Sequence, residues 1–175
     1  VKFSVVRYGN VMGSNGSVIP FFLKKKKTDG VLPITVETMT RFNISLQGGV
    51  DMVMHALETA WGGEIFVPKI PSYRILDVAE AIGPECEKPV IGIRPGEKLH
   101  EMMCPGDMSY HTYEFADHFV IAPAIKFFNR SNDFSSNALH EQGKLVAPGF
   151  EYVSDTNPDF LTVEQMRQFN QEAMS

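Results

Sequence analysis

Phe3-Ser4-Val5-Val6-Arg7-Tyr8-Gly9-Asn10-Val11-Met12-Gly13-Ser14-Asn15-Gly16-Ser17-Val18-Ile19-Pro20-Phe21-Phe22 is the stretch whose reading decides the fold. Phe3 to Arg7 is a short, nearly continuous apolar run, the pattern of a parallel strand covered on both faces. Tyr8 to Ser17 breaks that run. Gly9, Gly13 and Gly16, with Asn10 and Asn15, forbid a regular element and let a ligand approach the backbone closely. Val18 to Phe22 then opens a helix, with Ser17 in position to cap it and Pro20 tolerated in a first turn whose amides are unpaired anyway. Strand, glycine-rich turn and helix start predict an α/β fold, in which ligands bind outside the carboxyl ends of the strands.

Working outward, the first helix should run to Gly30. Lys24 to Lys27 near its end complement the helix dipole, and the acidic whole favours a solvated last turn over a phosphate patch. Val31 to Ile34 reads as a short edge strand that accommodates Pro33. Ser45 can cap a helix in which Val50, Val53, Met54, Leu57 and Trp61 recur at helical spacing as its buried stripe. Gly62-Gly63 ends that helix, and Glu64 to Pro68 reads as a strand. Ser72 is placed to cap a helix buried along Ile75, Ala79 and Ile82, and Pro89 to Arg94 and His118 to Ala122 read as further strands. Lys126 to Gln142 is polar and turn-rich without periodicity. Thr162-Val163-Glu164-Gln165 is a capping box for a terminal helix with Leu161, Met166 and Phe169 available for packing. Alternating helices and strands on short connections are α/β organisation, with no compelling domain boundary.

Two arginines carry the charge hypotheses. Arg41, between a polar residue and an aromatic in Met39-Thr40-Arg41-Phe42, suits a bidentate grip on a diphosphate, and equally suits a surface loop. Arg94 enters the turn Pro95-Gly96-Glu97-Lys98, which offers a guanidinium for phosphate and a carboxylate for ribose hydroxyls; the alternative is a local Arg94–Glu97 ion pair. His100-Glu101-Met102-Met103-Cys104 begins like a zinc-protease motif, but Cys stands where the second His belongs, so no metal site is assigned.

Composition sets outer limits. The chain has 175 residues, 43% of them hydrophobic, a formal charge of -5, and two cysteines, Cys86 and Cys104, without paired spacing. It can bury a core, and its acidity argues against a nucleic-acid or anionic-membrane partner. No apolar run is long enough to span a membrane, and reduced cytoplasmic thiols are the default.

Arg7 to Ser14, Met39 to Phe42, Gly63 to Ser72 and Ile91 to Glu101, in this order, closely resemble the extended short-chain dehydrogenase/reductase family. The resemblance is strongest to bacterial UDP-N-acetylglucosamine 4,6-dehydratases of the inverting, C5-epimerising type, which serve pseudaminic acid and related surface polysaccharide pathways. It covers essentially the whole chain. The family's glycine fingerprint and Tyr-x-x-x-Lys pair do not occur, so residues 1–175 are expected to be the C-terminal portion, the end of a Rossmann-like sheet plus the substrate-binding region, with the dinucleotide-binding half missing.

The resemblance implies an NADP-dependent lyase whose parent protein oxidises C4, loses water across C5 and C6, returns hydride to C6 and reprotonates C5 on the opposite face. The fragment alone would be inactive and contain no catalytic residue. Cofactor contacts are implied for Tyr8, Gly9 and Val11, with NADP bound mostly by the missing half. Substrate contacts are implied for Asn10 near the sugar phosphates, for Val18, Pro20 and Phe21 as an apolar wall by the uracil, for Arg41 and Arg94 on the diphosphate, and for Glu97 on the ribose. The implied partners are a UDP-sugar and further copies of the full-length chain in a homo-oligomer. A UDP-sugar epimerase, a retaining dehydratase, or a non-catalytic UDP-sugar binding or assembly module are the alternatives.

Overall fold

The structure, a computed structural model, describes residues 1–11, 13–14, 16–125 and 133–172. Met12 and Asn15 of the glycine-rich turn, and the first part of the aperiodic Lys126–Gln142 stretch, lie outside the described residues. In chain order the elements are β1 (Val5–Val6), β2 (Asn10–Val11), α1 (Val18–Thr28), β3 (Thr40–Ile44), α2 (Leu46–Thr59), β4 (Ile65–Pro68), β5 (Ser72–Arg74), α3 (Ile75–Ile82), β6 (Met102–Cys104), a 3-10 helix (Gly106–His111), β7 (Thr112–Glu114), β8 (His118–Ile121), β9 (Lys144–Leu145), β10 (Tyr152–Val153) and α4 (Val163–Glu172). They divide into two compact units. One is built from Val1–Tyr8, Leu46–Lys69 and Met102–Tyr152, the other from Gly9–Ser45, Ile70–Glu101 and Val153–Ser175. The segments interleave along the chain, which is why no linear boundary is legible in the sequence.

The first unit holds a five-stranded sheet in the order β1-β4-β8-β7-β9. β1 runs parallel to β4, with Val5 opposite Ile65 and Val6 opposite Phe66, and the remaining pairs are antiparallel. The first strand is therefore shorter than expected and lies at an edge. Phe3 is 79% and Val5 56% exposed, so the run is not covered on both faces. Apolar side chains on both faces of a strand show what it can bury, not what covers it.

The core of this unit gathers Met52, Ala56, Phe66, Phe115 and Val120. α2 faces it with Gly49, Met52, Ala56 and Thr59. The stripe expected to be buried points outward: Val50, Val53, Met54 and Leu57 are all exposed. Trp61 lies beyond the helix and donates its indole N–H to the Ser136 carbonyl at 2.7 Å. Glu64, 1% exposed, accepts from the Trp61 and Gly62 amides at 2.5 and 2.7 Å and from the Ser4 hydroxyl at 3.2 Å, so the buried carboxylate fixes the turn into β4.

The second unit holds a three-stranded sheet in the order β2-β3-β5. β2 runs parallel to β3, with Asn10 opposite Asn43, and β5 is antiparallel, with Arg41 opposite Tyr73. Its core joins Ile19 and Phe22 of α1, Val78, Ala79 and Ile82 of α3, and Met166 of α4 to Leu32 and Ile34. The stretches around Leu32 and Val90 pair in parallel through Leu32 N–H to Glu87 O, Ile34 N–H to Pro89 O and Ile91 N–H to Ile34 O, at 2.8, 2.9 and 2.8 Å. Pro33 and Pro89 have no N–H to give, so this pairing consists of isolated bridges, and Arg94 follows a loop and not a regular strand.

Two expected caps also differ. Ser72 belongs to β5, and Arg74 holds the N-cap position of α3. Ser17 has the extended backbone of an N-cap, yet its hydroxyl makes no capping bond and is buried without a hydrogen-bond partner among the described residues. At α4 the capping box forms as read: Thr162 Oγ1 accepts from the Gln165 amide at 3.2 Å and Gln165 Oε1 from the Thr162 amide at 2.8 Å.

Candidate functional site

The second unit carries a cavity of about 500 Å³. One wall is the start of α1, where Ser17, Val18, Pro20, Phe21 and Phe22 present mostly apolar surface. Helix geometry explains the choice: Ile19 and Phe22 turn into the core, while Phe21, 40% exposed, turns out beside them. Met39, Tyr73 and Ile75 continue the apolar lining from β3, β5 and α3. Burial raises the pKa of the Tyr73 phenol, with Glu101 adding to the effect, so it is a neutral group at any physiological pH.

Lys24, Arg41 and Arg94 bring cations to this cavity, and Asn10 and Glu97 add an amide and a carboxylate. The three cations are not equivalent. Arg41 directs Nη1 to the carbonyls of Thr40 and Leu99 at 2.7 and 3.2 Å, and Nη2 to the Lys98 carbonyl at 2.8 Å and Met39 Sδ at 3.3 Å. Its Nε lies 3.8 Å from Glu101 Oε1. The guanidinium thus ties residues 98–101 to β3, and it can reach a ligand only by exchanging those partners. Among the described residues, neither Lys24 nor the Arg94 guanidinium makes an ion pair.

The turn that carries Arg94 is closed on itself. The Glu97 amide donates to the Arg94 carbonyl at 3.1 Å, and the Arg94 amide to Glu97 Oε2 at 3.0 Å. Glu97 therefore bonds the main chain of Arg94 and not its guanidinium, so the local ion pair considered from the sequence does not form. Gly96 at φ 84° makes this turn, where a side chain would be strained.

Asn10, Val18, Pro20, Phe21, Arg41, Arg94 and Glu97 all line this one cavity. Tyr8, Gly9 and Val11 do not. Gly9 packs its backbone against Phe42, and Tyr8 belongs to the first unit, where its ring is 42% exposed. Sequence reasoning passed over Lys24, which sat in a run read as solvated. Its neighbours do take surface roles: Lys25 pairs with Asp29 at 2.8 Å and Lys26 with Glu85 at 2.9 Å. Tyr73 gave no signal, and Glu101 drew notice only within the zinc-protease-like stretch to which no metal site is assigned.

The residues of His100-Glu101-Met102-Met103-Cys104 have other partners. His100 Nδ1 is 2.8 Å from Thr40 Oγ1, and burial pushes the Cys104 thiol up to about 12. Among the described residues no group of His, Cys, Asp and Glu is placed to hold a metal ion.

A parallel strand leading through a glycine-rich turn into a helix, beside a cavity with an apolar wall and cations, defines an α/β protein equipped for an anionic ligand with an apolar or aromatic body. The chain belongs to the polysaccharide biosynthesis protein family, whose model matches residues 1–123. It is 55% identical, over 94% of its length, to a UDP-N-acetylglucosamine 4,6-dehydratase (inverting) of Campylobacter jejuni, of which it covers 50%. It is 40% identical, again over 94% of its length, to a UDP-glucose 4-epimerase of Rickettsia conorii, covering 48% of that protein. Among solved structures, the X-ray structure of Pen from Bacillus thuringiensis matches 99% of this chain and 50% of that one, with a TM-score of 0.78 at 29% identity. The chain spans about half the length of the curated relatives it matches.

Proposed function

We propose that this chain is the nucleotide-sugar-binding part of an inverting UDP-N-acetylglucosamine 4,6-dehydratase, a lyase of surface polysaccharide biosynthesis of the pseudaminic acid type. The observation that carries the reading is the 55% identity to the Campylobacter jejuni dehydratase, against 40% to the Rickettsia conorii epimerase over the same share of the chain. The cavity supports it. Val18, Pro20 and Phe21 offer an apolar wall to a flat base, Arg94 and Lys24 offer cations to a diphosphate, and Glu97 offers a carboxylate to hydroxyl groups. Arg41 joins the diphosphate grip when the phosphate replaces the carbonyls of Lys98 and Leu99.

In this reading the reacting end of the substrate is handled by the part of the relatives that this chain does not span, and the catalytic residues lie there. A bound nicotinamide dinucleotide, NADP in our reading, supplies hydride acceptance and return at the sugar. This chain's share in holding it is small. Tyr8 contributes an exposed ring, and Gly9 and Val11 contribute main chain. Gly9 fits that share because its backbone is already seated against Phe42, which leaves no side chain between it and a neighbour. The working protein is cytoplasmic and homo-oligomeric in this account; among the described residues no helix is long and apolar enough to cross a membrane.

Saturation-transfer NMR with UDP-N-acetylglucosamine tests the reading on the chain itself. Saturation should be strongest on the uracil protons, next to Val18, Pro20 and Phe21, and should fall along the ribose towards the acetamido sugar. Uniform weak transfer, or none, contradicts it.

A further inference from the structure

Glu101 is a meeting point in the second unit. Its Oε2 accepts from the Phe42 amide of β3 at 3.0 Å. The Asn10 side chain, oriented with its nitrogen towards the carboxylate, donates to Oε1 at 2.9 Å and Oε2 at 3.2 Å, and no other orientation pairs a donor with these acceptors. The main chain of Glu101 is pinned as well. Its amide donates to Ser154 Oγ at 2.9 Å and its carbonyl accepts from the Ser154 amide at 2.8 Å, while Ser154 Oγ is 2.7 Å from Thr40 Oγ1. Ser154 and Thr40 are 0% and 3% exposed, so this anchorage is buried and rigid.

Asn10 lines the cavity; Glu101 does not. We propose that Glu101 is a positioning residue that acts on the ligand through Asn10. By holding the amide nitrogen, it leaves Oδ1 as the group Asn10 offers to the cavity. An oxygen acceptor recognises a hydroxyl or N–H of the ligand and is repelled by a phosphoryl oxygen. Asn10 then reads a hydroxyl or amide donor of the nucleotide sugar, while the diphosphate is left to the cations. This assignment rests on the cavity's being a nucleotide-sugar site.

Glu101→Gln makes the claim testable, because it preserves shape and changes the pairing. A glutamine at 101 keeps its one oxygen for the Phe42 amide and turns its nitrogen to Asn10, which must reverse to accept it. The ligand would then meet a donor where an acceptor stood. The experiment is a double-mutant cycle with UDP-N-acetylglucosamine, measured by calorimetry on native, Glu101→Gln, Asn10→Ala and doubly substituted chains. Glu101→Gln should weaken binding about tenfold or more, and most of that loss should vanish once Asn10 is Ala, the remainder being the charge taken from Arg41, whose Nε lies 3.8 Å from Glu101 Oε1. Native affinity in Glu101→Gln, or the same loss in the Asn10→Ala background, overturns the proposal.

A second readout needs no ligand. The side-chain amide resonances of Asn10 should shift strongly between native and Glu101→Gln chains, and unshifted resonances overturn the pairing itself. Failure of the native chain to bind UDP-N-acetylglucosamine, with that shift intact, refutes the nucleotide-sugar reading instead. If Glu101→Gln unfolds the unit, Asn10→Asp reads the same contact from the other side. Two facing carboxylates repel while both are ionised, so ligand binding is weak at neutral pH and recovers on acidification as the pair takes up a shared proton; unchanged weak binding at lower pH overturns the contact.

Discussion

The backbone of Gly9 lies so close to Phe42 that a Cβ on residue 9 would sit 2.5 Å from the Phe42 Cβ and 2.8 Å from its carbonyl oxygen. No side chain fits there without moving β3, whose Thr40 and Phe42 are fully enclosed. Gly9→Ala should therefore destabilise the second unit by about 1–3 kcal/mol, towards the upper end because the obstructing atoms are main chain. Urea denaturation followed by far-UV circular dichroism checks it; an unchanged midpoint would show that the β2–β3 pairing tolerates more space than the structure allows.

Glu64 provides a comparable anchor in the first unit. Removing its carboxylate leaves the Trp61 and Gly62 amides without acceptors in a buried turn. Glu64→Ala should cost about 3 kcal/mol, measured as a shift in thermal or denaturant midpoint. A loss under about 1 kcal/mol would mean that water replaces the carboxylate freely.

A buried imidazole makes the first unit sensitive to acid. His118 is 1% exposed, stacks on Phe115 with ring centroids 4.8 Å apart, bonds Asp117 through Nδ1 at 2.7 Å, and lies 4.8 Å from the His55 ring. Among the described residues, Nε2 of neither histidine has a hydrogen-bond partner, although Glu141 lies 3.9 Å from His55 Nε2. Burial lowers the His118 pKa, against the opposing pull of Asp117. The folded state then holds its proton less tightly than the unfolded state, whose histidine titrates near pH 6.5. Stability is complete above that range and is lost as pH falls through it, at no more than about 1.4 kcal/mol per pH unit for one proton. Denaturation at about pH 7.5 and about pH 5.5 should show the loss, and His118→Phe should flatten it. A native chain equally stable at both values refutes the assignment.

The outer face of α2, with Leu46, Val50, Val53, Met54 and Leu57 exposed, and the uncovered edge at Phe3 and Val5 should make the isolated chain associate. Sedimentation velocity should show concentration-dependent species that Met54→Glu with Leu57→Glu suppresses. A monodisperse monomer at high concentration contradicts this.

What was legible in the sequence follows the physics of each signal. Local chemistry read well where it depends on few residues, as in the Thr162–Gln165 capping box, two residues three apart; the glycine-rich stretch before α1, expected to hold no regular element, in fact pairs Asn10 and Val11 with β3 as β2. Periodicity failed at α2 because both sides of that helix are apolar. The spacing of Val50, Val53, Met54 and Leu57 is as regular as that of Gly49, Met52 and Ala56, and only packing against Phe66 and Val120 decides between them. Strand propensity failed around Arg94, where prolines interrupt the pairing and leave a loop. At the cavity, the resemblance named residues that share one wall or another, but not their partners. That Arg41 is tied to Lys98 and Leu99, that Lys24 alone of its run reaches the cavity, and that Glu101 accepts from the Asn10 amide are contacts between residues 57 to 91 positions apart or facts of helix rotation, which no short motif encodes.

The central claim, that the cavity beside α1 grips a nucleotide diphosphate sugar through Arg94, is tested most directly by calorimetric titration of UDP-N-acetylglucosamine into the native and Arg94→Ala chains. The account predicts saturable one-to-one binding by the native chain and a roughly 10- to 150-fold weaker affinity for Arg94→Ala, the loss expected for hydrogen bonds to a charged group. Equal affinity in the two chains would contradict it, as would a native chain that does not bind.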